Sequence, residues 1–72
     1  MPTISVEMTI TVNGQAREVP DGTAIAALLE QMKLKPSNVA VELNRRLVRS
    51  ELYDTPLKVG DEVEVVTFVG GG

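Results

Sequence analysis

Three glycines close the sequence: Gly70, Gly71 and Gly72. Glycine has no Cβ and reaches φ/ψ regions closed to other residues, so this run has nothing to pack with. It predicts a thin, mobile tail at residues 70–72, attached to a single domain at residues 1–69. With Val69 such a tail extends roughly 13 Å, at ~3.3 Å per residue. That reach would carry the α-carboxylate of Gly72 into the narrow active site of another protein. A carboxylate is a poor electrophile, and adenylylation by ATP would give it a good leaving group. A sulfur nucleophile would then yield a thiocarboxylate, and an amine an amide. Every catalytic group in that scheme comes from the partner.

The remaining composition fits a substrate of enzymes better than an enzyme. The chain has neither cysteine nor histidine. Disulfides, thiolate chemistry, the commonest general base and the commonest metal ligand are therefore all missing. No pair of carboxylates has a desolvating or charged neighbour that the sequence can identify. A chain of 72 residues buries only ~60% of its unfolded surface and has little room for a deep cavity. Apolar residues at 43% and charged residues at 24% are ordinary for a folded domain. The net charge of −3, with seven scattered Lys and Arg, lacks the basic footprint of a nucleic-acid binder. No stretch reads as a membrane span or a secretory signal. The expectation is a cytoplasmic chain, a monomer when alone, with no bound cofactor or metal.

The tail needs a scaffold. Ile4, Val6, Met8, Ile10 and Val12 alternate with Thr3, Ser5, Glu7, Thr9 and Thr11, a half-buried strand. Asn13-Gly14 supplies the two positive φ angles of a type I′ turn, and a second strand follows over Gln15–Val19. Pro20-Asp21-Gly22 is a turn, after which Thr23 is placed to cap a helix running to Met32 or Lys33. Ile25, Leu28, Leu29 and Met32 form one apolar stripe on that helix, facing the sheet. Pro36 ends it. Val39, Val41 and Leu43 predict a third strand, Asn44-Arg45-Arg46 a polar break, and Leu47-Val48 a short return strand. Ser50–Thr55 reads as an irregular or single-turn segment, and Glu62–Phe68 as the last strand.

The order is β-β-α-β-β-β. One helix on one mixed sheet is an α+β layer architecture. The last strand is the most apolar, so it belongs inside the sheet, parallel to the first. That arrangement is the ubiquitin-like β-grasp, with about four to five strands packed on one main helix.

These residues resemble a known family. Val12-Asn13-Gly14, the helical Leu28-Leu29, Val41-Glu42-Leu43-Asn44, Gly60-Asp61-Glu62-Val63-Glu64-Val65-Val66 and above all Phe68-Val69-Gly70-Gly71-Gly72 resemble the ThiS family of thiamine-biosynthesis sulfur carriers, in the ubiquitin-like ThiS/MoaD superfamily. The resemblance covers most of the chain from Met8 onward, and its specific part is the tail. It implies that a ThiF-like E1 adenylyltransferase activates Gly72 with ATP. Sulfur from cysteine, delivered by a cysteine desulfurase or sulfurtransferase, then gives the thiocarboxylate, and a ThiG-like thiazole synthase consumes it. Gly71 and Gly72 carry over as the reacting tail and Gly70 as its root. Met1–Glu7 precedes the usual family start, which would fall near Met8, so both Met1 and Met8 are candidate starts. The alternatives are the small subunit of molybdopterin synthase, a ubiquitin-like protein modifier, and a non-covalent β-grasp binding module. The Phe68-Val69-Gly70 run, in place of prolines before the glycines, favours the thiamine carrier.

Val66 and Phe68 are expected on the sheet face away from the helix and, with Val69, are candidates for docking a partner; the competing reading packs them under a loop against Tyr53 or Leu57. Arg45, Arg46 and Arg49, and likewise Glu62 and Glu64, read as solvated surface.

Overall fold

In the computed structural model, which describes residues 6–68, the alternating segment becomes strand β1, Glu7–Val12. Met8, Ile10 and Val12 are buried. The predicted earlier start of the strand, at residues 3–5, lies outside the described residues. Val6 does not share the buried face: it is 65% exposed, although its carbonyl still accepts the Asp21 amide at 2.7 Å. Asn13 (φ 51°) and Gly14 (φ 82°) make the turn to β2, Gln15–Pro20, as their tolerance of positive φ requires.

Helix α1 spans Ile25–Gln31, slightly shorter than its apolar stripe suggests. Ile25, Leu28 and Leu29 are buried and Met32 is partly buried against the same core. Thr23 does not cap it. Its hydroxyl donates instead to the Pro20 carbonyl at 2.6 Å, and Ala24 occupies the cap position without a side-chain bond. The exposed helix end is met from far along the chain. The Ala26 amide donates to the Tyr53 carbonyl (2.9 Å), and the Leu57 amide to the Thr23 carbonyl (2.8 Å). A seven-residue helix is too short to persist unaided, so this tie and its apolar face hold it in place.

The helix closes with a Schellman arrangement. The Lys33 amide donates to the Glu30 carbonyl (3.0 Å) and the Leu34 amide to the Leu29 carbonyl (2.9 Å). That geometry places Lys33 at φ 61°, where glycine is favoured. Lys33→Gly is expected to raise stability by about 0.5–1 kcal/mol, because a left-handed L-residue costs roughly 1–2 kcal/mol and glycine's extra chain freedom returns part of it. Thermal unfolding would show this as a midpoint a few degrees higher, and a fall would contradict it.

A 3-10 turn at Pro36–Asn38 leads into β3, Val39–Leu43. Asn44 (φ 51°) and Arg45 (φ 71°) turn the chain into β4, Arg46–Val48. Arg46 thus belongs to the strand rather than to the polar break, because the two positive-φ residues before it complete the reversal. A second 3-10 turn, Ser50–Leu52, brings Tyr53 into the core while Leu52 stays exposed. The last strand, β5, is Glu62–Thr67.

The sheet has five strands in the order β2-β1-β5-β3-β4. β5 is central, parallel to β1 and antiparallel to β3. Its alternation explains why: Val63 and Val65 face the helix and are buried with Ile10, Val41, Leu28 and Leu29 in one core. No helix among the described residues is long and apolar enough to cross a membrane.

Candidate functional site

The candidate site is the end of the sheet from which β5 runs toward the glycines. β5 is gripped there from both sides. On the β3 side the Phe68 amide donates to the Asn38 carbonyl at 2.9 Å. On the β1 side the Asn13 amide donates to the Val63 carbonyl (2.8 Å), and the Asn13 side-chain Oδ1 accepts the Val65 amide (2.7 Å). The start of β5 is held by a second loop asparagine. Asn44 Oδ1 accepts the Glu62 amide (2.9 Å) and its Nδ2 donates to Asp61 (3.1 Å).

Val66 and Phe68 are 58% and 59% exposed. They do not pack against Tyr53 or Leu57, both of which are buried within the core. Strand register puts Ala40 beside Val66 on the outer sheet face, and Leu47 beside Glu42 on the same face. Leu47 is itself 71% exposed; its sequence reads as an ordinary return strand, and only the register with β3 puts it on the outer face, in the row of Glu42 and Glu64. Glu7, Glu18, Glu42, Glu62 and Glu64 share this face and are all exposed. Glu42 stands directly opposite Glu64, a like-charge pair that costs stability. The face is therefore apolar toward the exit of β5 and acidic over the remainder, which suits an apolar pocket ringed by basic side chains.

The basic residues lie elsewhere. Arg45 sits in the β3–β4 turn and Arg46 opens β4, and Arg49 makes a loose exposed contact with Glu51 at 3.8 Å, a kind of pair worth little. Beside the hairpin tip an open depression of about 310 Å³ is lined by residues including Asn13, Arg17 and Met32. No group of three or more potential metal ligands clusters among the described residues.

Val69, Gly70, Gly71 and Gly72 lie outside the described residues. The structure brings Val66 and Phe68 together on the exposed face. The Asn13 and Asn38 contacts were not legible in the sequence. Asn13-Gly14 signals a turn, but nothing local signals a bond to a residue 52 positions away.

Comparison with known proteins follows the same lines. The family model described as the ThiS family matches residues 10–72. The sulfur carrier protein ThiS of Thermus thermophilus is 38% identical over 64 residues, covering 88% of this chain and 98% of that one. A thiazole synthase of Magnetococcus marinus is 38% identical over 66 residues, 90% of this chain. The chain spans only 20% of that protein's length. The crystal structure of the thiamine biosynthesis protein ThiS from Geobacter metallireducens superposes with a TM-score of 0.76 at 38% identity, covering 90% of this chain and 100% of that one. The sheet order, the helix and a match that runs through Gly72 agree, and the chain belongs to the ThiS family.

Proposed function

We propose that this chain is a sulfur carrier of thiamine biosynthesis, working in the cytoplasm as a substrate of other enzymes. The α-carboxylate of Gly72 attacks the α-phosphorus of ATP on a ThiF-like E1 adenylyltransferase and releases pyrophosphate. A persulfide, formed from cysteine on a desulfurase or sulfurtransferase, attacks the acyl carbon and displaces AMP to give an acyl disulfide. A second thiol then attacks the enzyme's sulfur of that bond, which leaves the thiocarboxylate on Gly72 and a disulfide on the enzyme. A ThiG-like thiazole synthase takes that sulfur. ATP is consumed by the partner, and this chain supplies no cofactor site.

The observation that carries this reading is the placement of β5. The strand that leads into Gly70, Gly71 and Gly72 is central in the sheet, held on both edges, and flanked at its exit by exposed Val66 and Phe68. A rigid root beside an apolar docking face suits a tail that must be presented to a second protein. Two observations on relatives support the partners. The Thermus thermophilus relative is named a sulfur carrier, and the Magnetococcus marinus thiazole synthase contains a related segment within its own chain. A related segment joined to a synthase there supports a synthase as the partner of this one.

ATP–pyrophosphate exchange tests the first step. With the E1-like enzyme, exchange is expected only when this chain is present; exchange of equal rate without it would contradict the reading. Docking has its own test. Phe68→Ala is expected to weaken binding to the E1-like enzyme about 30-fold, the ~2 kcal/mol of an aromatic anchor. Titration calorimetry measures it, and unchanged affinity would remove Phe68 from the interface. Phe68 lies outside the core, so the fold should not respond.

A further inference from the structure

We infer that Asn13 is a positioning residue of this carrier: its side chain, beyond shaping a turn, sets the line along which β5 delivers the tail. The inference rests on the carrier reading above.

β1 stops at Val12, and its last pairing with β5 is Val12 with Val63. β5 continues to Thr67. Even-numbered β5 residues bond toward β3, as the Asn44–Glu62 and Asn38–Phe68 bonds show, while odd-numbered ones turn toward β1. Past Val63 that second edge has no strand beside it. Asn13 supplies the missing partner. Its amide meets the Val63 carbonyl and its Oδ1 meets the Val65 amide at 2.7 Å. One side chain thus extends the β1 ladder by a rung, on the last stretch before the glycines.

The turn alone does not require this. A type I′ turn needs positive φ at the first central position, which glycine or aspartate provides equally well. The amide acceptor is an additional property. Its leverage is geometric. β5 stays held on the β3 edge through Phe68, so losing the bond on the other edge lets the strand twist about that edge. A ~10° change in its direction where it leaves the sheet displaces a point ~16 Å on by ~3 Å. Misplacement of a reacting group by ~1 Å can cost ~100-fold in rate.

Asn44 provides an internal control. It also adopts positive φ, 51°, and its Oδ1 also accepts a β5 amide, that of Glu62 at 2.9 Å. Its bond lies at the opposite end of the strand.

The test compares Asn13→Gly, Asn13→Asp and Asn44→Gly with the unaltered chain, as substrates of the E1-like enzyme. Asn13→Gly keeps the turn and removes the acceptor, and is expected to lower kcat/KM for adenylylation about tenfold. Asn13→Asp keeps both and should stay within about threefold. Asn44→Gly should stay within about twofold, although it loses the same kind of bond. In the free domain, the Val65 amide of Asn13→Gly should exchange hydrogen about tenfold faster, because its acceptor is gone. Full activity of Asn13→Gly, an equal loss in Asn44→Gly, failure of Asn13→Asp to restore activity, or unchanged Val65 exchange would each overturn the inference. No adenylylation of the unaltered chain would remove the carrier reading itself and the inference with it; faster Val65 exchange would still mark the bond as real, so the two failures are distinguishable.

Discussion

Removing Gly71 and Gly72 is expected to abolish sulfur transfer while leaving the domain as stable as before. The two effects separate because the residues take part in different things. The core is built from β1, β2, α1, β3 and β5 together with Tyr53 and Leu57, and among the described residues none of its members lies past Val65. Deletions outside packed or hydrogen-bonded structure change stability by roughly 0.5 kcal/mol or less. The chemistry has no such margin. A carboxylate on Gly70 would fall ~7 Å short of where that of Gly72 reaches, at ~3.3–3.6 Å per residue. Geometric errors of ~1 Å already cost ~100-fold, so turnover should fall below detection. Thermal unfolding and single-turnover thiocarboxylate formation, measured on the same preparation, check both halves. A truncated chain that still accepts sulfur would show that the glycines are not the reacting end. One that unfolds would show that they belong to the fold.

The second large effect is on stability. Leu28→Ala should cost about 2–5 kcal/mol, the range for a fully enclosed leucine whose cavity cannot collapse. Leu28 is 0% exposed and sits at the centre of a seven-residue helix that has no independent stability. For a domain of this size, at ~0.05–0.15 kcal/mol per residue, that is a large share of the total. At ~4–8 °C per kcal/mol the midpoint should drop by ~10–40 °C. Leu47→Ala is the matched control. Leu47 is 71% exposed, so its loss should stay within about 0.5 kcal/mol. Denaturant titration of the two variants would refute the assignment of the core if their order were reversed.

Much of this architecture was legible because the signals are periodic. The alternation in β1, the stripe of Ile25, Leu28 and Leu29, the Asn13-Gly14 turn and the apolar Val63-Val65 face each follow from one residue's spacing to the next. The central, parallel placement of β5 followed from its apolar character. Features that depend on distant partners were not legible. Thr23 carries the local signature of a helix cap, yet the Ala26 amide is met by the Tyr53 carbonyl, and the Thr23 hydroxyl turns back to Pro20. Arg45 adopts positive φ with no local preference for it, because Asn44 and the pairing of β3 with β4 impose the turn. Leu47 reads only as part of a short return strand, and the register with Glu42 puts it on the open face. At the candidate site the pattern is the same. The face that carries Val66 and Phe68 was readable from strand alternation, though not that it stays uncovered, whereas the side-chain bond from Asn13 to Val65 joins positions that no local pattern connects.

The outer face carries a stability cost that the docking reading makes intelligible. Glu42 opposite Glu64 is unfavourable across a strand pair, by up to about 1 kcal/mol. An acidic field beside an apolar patch accelerates encounter with a basic partner and discourages acidic ones. A surface shaped only for stability would alternate charges at this pair.

The most direct measurement is intact mass spectrometry of the chain after incubation with ATP, the E1-like adenylyltransferase and a cysteine desulfurase with cysteine. The expected result is a mass gain equal to replacing one oxygen by sulfur, localised by fragmentation to Gly72 and absent when ATP is omitted. An unchanged mass, under conditions in which the same enzymes convert an established carrier, would contradict the claim that Gly72 carries sulfur.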